Sequence, residues 1–208
     1  MLESIYKSLA SQFSDDEQLI NAHWEEIETQ YTTEGRFYHN LSHLENLLQE
    51  LVAIQSNIHD WYAVLFTLFY HDLIYHVLQK NNEESSAEIA STRMTELNCP
   101  ENLITTTRKQ IKATKFHNPS DDNDTNWFND ADLSVLGQPT AAYVKYMEQV
   151  RNEYKIYPAV IYNKGREEVL RHFLRMPRIF KTDHFYEKYE YQAKVNMEME
   201  VILLSRRY

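Results

Sequence analysis

Glycine and cysteine are nearly missing from this chain of 208 residues, which has three of the first and one of the second. So few glycines leave little material for tight β-turns or phosphate-cradling loops, which need residues that take positive φ without strain. Neither GxGxxG nor GxxxxGK followed by Ser or Thr occurs, so dinucleotide-binding and P-loop readings have no support. The lone Cys99 excludes an intrachain disulfide and a cysteine-rich zinc site, and reads as a small residue at a helix end. A basic excess is missing too. Lys and Arg total 21 against 31 Asp and Glu, a net charge of −10. That argues against duplex nucleic acid and against a polybasic membrane anchor. A small anionic substrate stays compatible where a metal or a few arginines reverse the potential locally. The longest apolar run, AVLFTLFY, is too short to span a bilayer. MLESIYKSLA lacks the basic start and apolar core of a signal peptide. The expectation is a soluble, cytoplasmic protein of one domain, long enough to bury a real core.

What is present is helical periodicity almost throughout. Residues 15 to 31 form a first amphipathic pattern. SHLENLLQELVAI follows, with Ser42 and Glu45 spaced as a capping box and leucines at 44, 47, 48 and 51. Asp60 stands where an N-cap belongs, ahead of WYAVLFTLFYHDLIY. That run is apolar on nearly every side and so predicts the central, buried helix. Asn81 and Glu84 open the next helix and Pro100 ends it. A helix over about 101–115 leads to the polar loop HNPSDDNDTN, then a short helix WFNDADLSVLG stopped by Gly137. Helices over 139–155, 158–175 and 183–205 complete a compact all-α bundle of about eight to ten helices.

Three motifs carry candidate chemistry. RFYHNLSHL (36–44) supplies His39 and His43, YHDLIY (70–75) supplies His71 and Asp72, and NDADLSVLG (129–137) supplies Asp130 and Asp132. Imidazole nitrogens and carboxylate oxygens are the ligands of divalent Mn, Fe, Co, Ni, Zn or Mg. Adjacent helical residues point about 100° apart, so other helices must complete any coordination around the His71–Asp72 pair. Each motif alone has a plain structural reading: a hydrogen-bonded core histidine, a helix cap, or unrelated surface histidines.

Taken in order, the pattern H…HD…D resembles the HD-domain superfamily of metal-dependent phosphohydrolases, and within it the branch of small bacterial predicted metal-dependent HD phosphohydrolases. The branch pattern is matched by YHNLSHL, LFYHDLIY, NEESSA (82–87), ATKFH (113–117) and DADLSVLG (130–137). VRNEY (150–154) and GREEVLRHFL (165–174) resemble it as well. The resemblance implies an all-helical HD fold, with the metal-site core at about 31–137 and the C-terminal helices packed on it. It implies His43, His71, Asp72 and Asp132 as the ligands of a divalent ion. His59–Asp60, at the start of the buried helix, is then a cap. Asp130 either caps its helix or orients a ligand histidine. YHNxxH is also similar to a segment of cyclic-nucleotide phosphodiesterases. On that likeness His39 is either a general acid or a histidine behind the ligands. Those enzymes carry a further histidine where this chain has Tyr75.

Arg36 is read as a phosphate-holding guanidinium or as a solvated surface arginine. His117 is read as a substrate or second-metal contact, or as inert. Glu83 and Glu84 read first as dipole-favouring residues of a helix start, with orientation of a water as the other reading. Arg151, Glu153, Tyr154 and Arg166 read as a buried salt-bridge network. The leading expectation is hydrolysis of a phosphate ester or anhydride of a nucleotide or small phosphorylated metabolite, with Asp72 accepting a proton. An HD-type di-iron oxygenase, drawing on His76 and His117, and a non-catalytic metal- or nucleotide-binding module are the alternatives. The C-terminal spacing at Phe185, Tyr189, Ala193 and Val195 fits packing on the core or on a second copy.

Overall fold

The computed structural model describes residues 1–205, and every regular element among them is a helix. Ten α-helices follow one another: α1 (Leu2–Ala10), α2 (Glu17–Tyr31), α3 (Leu41–Ala53), α4 (Trp61–Tyr70), α5 (Asn82–Glu96), α6 (Glu101–Ala113), α7 (Asn123–Asp132), α8 (Thr140–Glu153), α9 (Ala159–Leu174) and α10 (Asp183–Ser205). Short 3-10 segments lie at Gln55–Asn57 and Leu133–Gly137. The all-α expectation holds. The chain divides into two compact units, Met1–Asn129 and one beginning at Asp130. The division falls inside α7.

In the first unit α4 is the hub. Every residue from Ala63 to Tyr70 is buried, as its unbroken apolar run requires. Helices α1, α3, α5 and α6 all pack on it, and α5 lies along α6. Tyr6, Trp24, Phe69 and Tyr70 form an aromatic cluster in which Tyr6 meets Phe69 edge-on at 5.1 Å. Burying each such ring is worth on the order of 1.5–3 kcal/mol. The two phenols at the centre satisfy each other, with Tyr6 Oη 2.8 Å from Tyr70 Oη.

Helix starts follow side-chain caps, with one shift of register. Asp16 and Asp60 accept from the backbone N–H groups of Leu19 and Ala63. Asn40, not Ser42, caps α3: its carboxamide oxygen accepts from Ser42 N at 2.9 Å, so the expected capping box gives way to a cap two residues earlier. Helix α1 was not foreseen, because its 9 residues give too short a pattern to stand out. Helix α7 begins at Asn123, inside the expected polar loop, where Asp122 accepts from Thr125 N and Thr125 Oγ1. Asp124 takes the backbone N–H groups of His59 and Asp60 at 2.9 and 2.7 Å. The first turn of α7 is thereby fastened to the start of α4. His59–Asp60 is structural, as its position suggested.

In the second unit α10 packs along the 133–137 segment and α9. Asn196, fully buried, donates to the carbonyls of Leu136 and Gln138 at 2.9 and 2.8 Å. Arg166 pairs with Glu200, which also accepts from Tyr143 Oη. Arg166 is thus in a buried ion pair, though its partner is Glu200 rather than a residue of the expected network. Arg151 plays a different part, donating to the carbonyls of Tyr154 and Tyr157 and lying over the ring of Tyr162. Phe185, Tyr189 and Ala193 are buried within the unit, whereas Val195 is exposed.

Candidate metal centre

The apolar pattern predicts that α4 runs on to Tyr75, but the helix ends at Tyr70. The last α-helical bond is His71 N to Thr67 O, and Leu73 N bonds Tyr70 O in a tighter turn. Neither Gly nor Pro stops the helix. Side chains from elsewhere take its backbone groups instead. Arg36 Nη1 donates to Asp72 O at 2.8 Å and Arg36 Nη2 to Leu73 O at 2.6 Å. Ser86 Oγ accepts from Ile74 N, and Asn82 both accepts from His76 N and donates to His76 O. The NEESSA segment therefore works through Asn82 and Ser86, which sequence reasoning passed over for its glutamates. Those carboxylates pair with Lys115, at 3.5 Å from Glu83 and 2.7 Å from Glu84. The hydrogen bond from Lys115 holds the Glu84 carboxyl below its ordinary range.

With the helix ended, His71 sits on its last turn, 1% exposed. Its Nδ1 lies 3.0 Å from Leu68 O. A carbonyl can only accept, so Nδ1 carries a proton, and in the neutral ring Nε2 presents a lone pair. Across from it is His43, in the first turn of α3 and 5% exposed, its Nε2 3.2 Å from His71 Nε2. Asp132 is the last residue of α7. It lies four residues after Phe128, whose ring meets the His71 imidazole edge-on at 5.4 Å. One ligand atom from each of His43, His71 and Asp132 lies within 4.8 Å of the other two.

This donor set fits a divalent ion. Two nitrogens each about 2.1 Å from one ion and at right angles stand about 3 Å apart, close to the 3.2 Å between the two Nε2 atoms. Two imidazoles and a carboxylate suit Mn, Fe, Co, Ni or Zn. Asp72 Oδ2 is 3.3 Å from His71 Nε2 and 4.0 Å from His39 Nε2, so the fourth expected ligand lies beside the group of three.

The remaining expected residues divide. His39 is at the site's edge, stacked on Tyr75 at 4.2 Å between ring centres and touching Tyr38 and His43. Tyr75, noted in the sequence only for not being a histidine, is thus the surface on which His39 rests. Arg36 is half-buried and bound to backbone carbonyls, not a solvated arginine. His117 follows α6 in the left-handed region (φ 50), its N–H bonded to Ala113 O, and is outside the convergent group. Asp130 neither caps α7 nor orients a histidine. Its buried carboxylate accepts from Lys181 N, Thr182 N and Thr182 Oγ1 at 2.8, 2.7 and 2.8 Å. Burial raises its pKa against the pull of those bonds.

Comparison with protein-family models, with curated proteins and with solved structures gives no match. The class defined by fold and site is therefore an all-α protein with a histidine–carboxylate group able to hold a metal ion. No helix among the described residues is long and apolar enough to cross a membrane.

Proposed function

We propose that the chain is a cytoplasmic, metal-dependent phosphohydrolase of HD type, acting on a nucleotide or small phosphorylated metabolite. The observation that carries this reading is the convergence of His43, His71 and Asp132, two of them buried imidazoles, on one point. The resemblance of YHNLSHL, LFYHDLIY and DADLSVLG to that superfamily supplies the reaction class. These three residues hold the ion, with Asp72 beside them. When bound, the ion supplies Lewis acidity, lowering the pKa of a water and offsetting charge on phosphoryl oxygens. Asp72 takes the proton from the attacking water as its oxygen bonds to phosphorus. His39 gives a proton to the departing oxygen as the old P–O bond breaks. His39 Nε2 lies 4.0 Å from Asp72 Oδ2, and its ring stacks on Tyr75.

The di-iron reading draws no support from the site. His76 is exposed, with its backbone tied to Asn82, and Tyr75 is occupied by His39.

The test is metal analysis of protein purified without added metal, for the parent and Asp72→Ala, followed by a screen of phosphate esters and anhydrides with Mn, Co, Ni and Mg. One divalent ion per chain and hydrolysis of a phosphorylated compound are expected, with turnover lost in the variant. Two irons per chain would shift the reading to oxidation. A bound ion without turnover on any phosphate would favour a binding module. No ion taken up on titration ends the hydrolase reading.

A further inference from the structure

Arg36 reaches backbone carbonyls on two sides of the candidate centre. Its Nη1 donates to His39 O at 3.2 Å and to Asp72 O at 2.8 Å, and its Nη2 donates to Leu73 O at 2.6 Å. The guanidinium lies 4.9 Å from the ring centre of Tyr31 and 5.5 Å from that of Tyr75. The fork thus joins carbonyls of two segments far apart in sequence. One segment leads into α3 and carries His39. The other follows α4 and carries His71 and Asp72.

We propose that Arg36 is a positioning residue that locks the segment bearing His39 to the segment bearing His71 and Asp72, so that the imidazoles and carboxylate meet before any ligand arrives. The physical case has three parts. Carbonyls past the end of α4 have no helical partner, and unpaired buried acceptors cost free energy. A planar fork serves two of them, Asp72 O and Leu73 O, together with His39 O at fixed angles, which an ammonium cannot do. The guanidinium lies over the Tyr75 ring, and that ring stacks on His39, so the same arginine touches both the backbone turn and the surface that orients His39. Clamping the backbone replaces direct phosphate binding as the main work of this side chain.

The inference rests on the metal-centre reading for its consequence but not for its geometry, and two measurements separate them. Arg36→Met and Arg36→Lys are compared with the parent by hydrogen exchange of the metal-free proteins and by calorimetric titration with Mn and Co ions. Exchange at the amides of Leu73 to Tyr75 is expected to speed up at least several-fold in Arg36→Met, while the α5 and α6 amides keep their protection. Affinity for the ion falls by about 10–100-fold, the usual effect of removing a group that orients ligands. Arg36→Lys follows Arg36→Met, because charge without the fork does not restore the clamp. Unchanged exchange and unchanged ion affinity in a folded Arg36→Met protein overturn the proposal. So does full rescue by lysine, which would make charge the property that matters. Should the parent bind no ion, the metal-centre reading fails on its own, and the exchange data alone decide the clamp.

Discussion

His43 and His71 face each other Nε2 to Nε2 at 3.2 Å, while the other nitrogen of His71 is held by the carbonyl of Leu68. With Nδ1 carrying the proton of the neutral ring, Nε2 of His71 has a lone pair that can accept a hydrogen bond or bind a cation. The pair is thus built around a lone pair in a buried place.

An ion that binds this pair stabilises the folded chain by mass action. At a free concentration one hundred times the dissociation constant the gain is about 2.7 kcal/mol. Thermal unfolding with and without added Mn, Co or Zn should show a rise in Tm for the parent and none for His71→Ala. An equal rise in both proteins would place the ion elsewhere.

Gly137 is required by close approach to α10, not by backbone angle. A Cβ there would stand 2.4 Å from Tyr189 Cβ and 2.8 Å from Tyr189 O. Both atoms are fixed to the backbone, so no rotamer change relieves the clash. Gly137→Ala should therefore lose about 1–3 kcal/mol, the usual range for overpacking. Urea denaturation measures it, and a loss under about 0.5 kcal/mol, the scale of a neutral surface change, would show that the segment moves freely.

The legible part of this molecule is the part written in local pattern. Helix α4 was visible as an apolar run, its Asp60 cap as a polar residue in front of it, and α8, α9 and α10 as uninterrupted periodicity within a residue or two of their bounds. The convergence of His43, His71 and Asp132 was legible only through resemblance, since nothing local tells a buried histidine from a ligand. What stayed hidden depends on partners distant in sequence. The end of α4 at Tyr70 is set by Arg36 and Ser86, and the role of Asp130 by two backbone N–H groups at 181 and 182. A hydrogen bond between a side chain and a remote carbonyl leaves no periodicity behind.

Lys181 offers a pH test within the second unit. Its side chain is 5% exposed, with Nζ donating to Ile179 O at 2.7 Å and standing 4.0 Å from Asp130 Oδ1. Burial draws its pKa down to about 8, against the opposite pull of Asp130 and Glu190. In the unfolded chain a lysine titrates near about 10.4. Below about pH 8 both states hold the proton and the cost of burying the charge is fully felt. As pH rises past that point the folded state releases its proton while the unfolded state keeps it, so stability increases with pH across the window. Each tenfold difference in proton affinity between the two states corresponds to about 1.4 kcal/mol, which sets about 3 kcal/mol as a ceiling for this group. Lys181→Met should lack that rise. Burial also raises the pKa values of Tyr6 and Tyr162, which lowers stability at still higher pH in both proteins and cancels in the comparison. Urea unfolding of parent and variant from pH 7 to about 9.5, short of the tyrosine range, measures the difference. Parallel stability curves would mean that Lys181 keeps an ordinary pKa by reaching water.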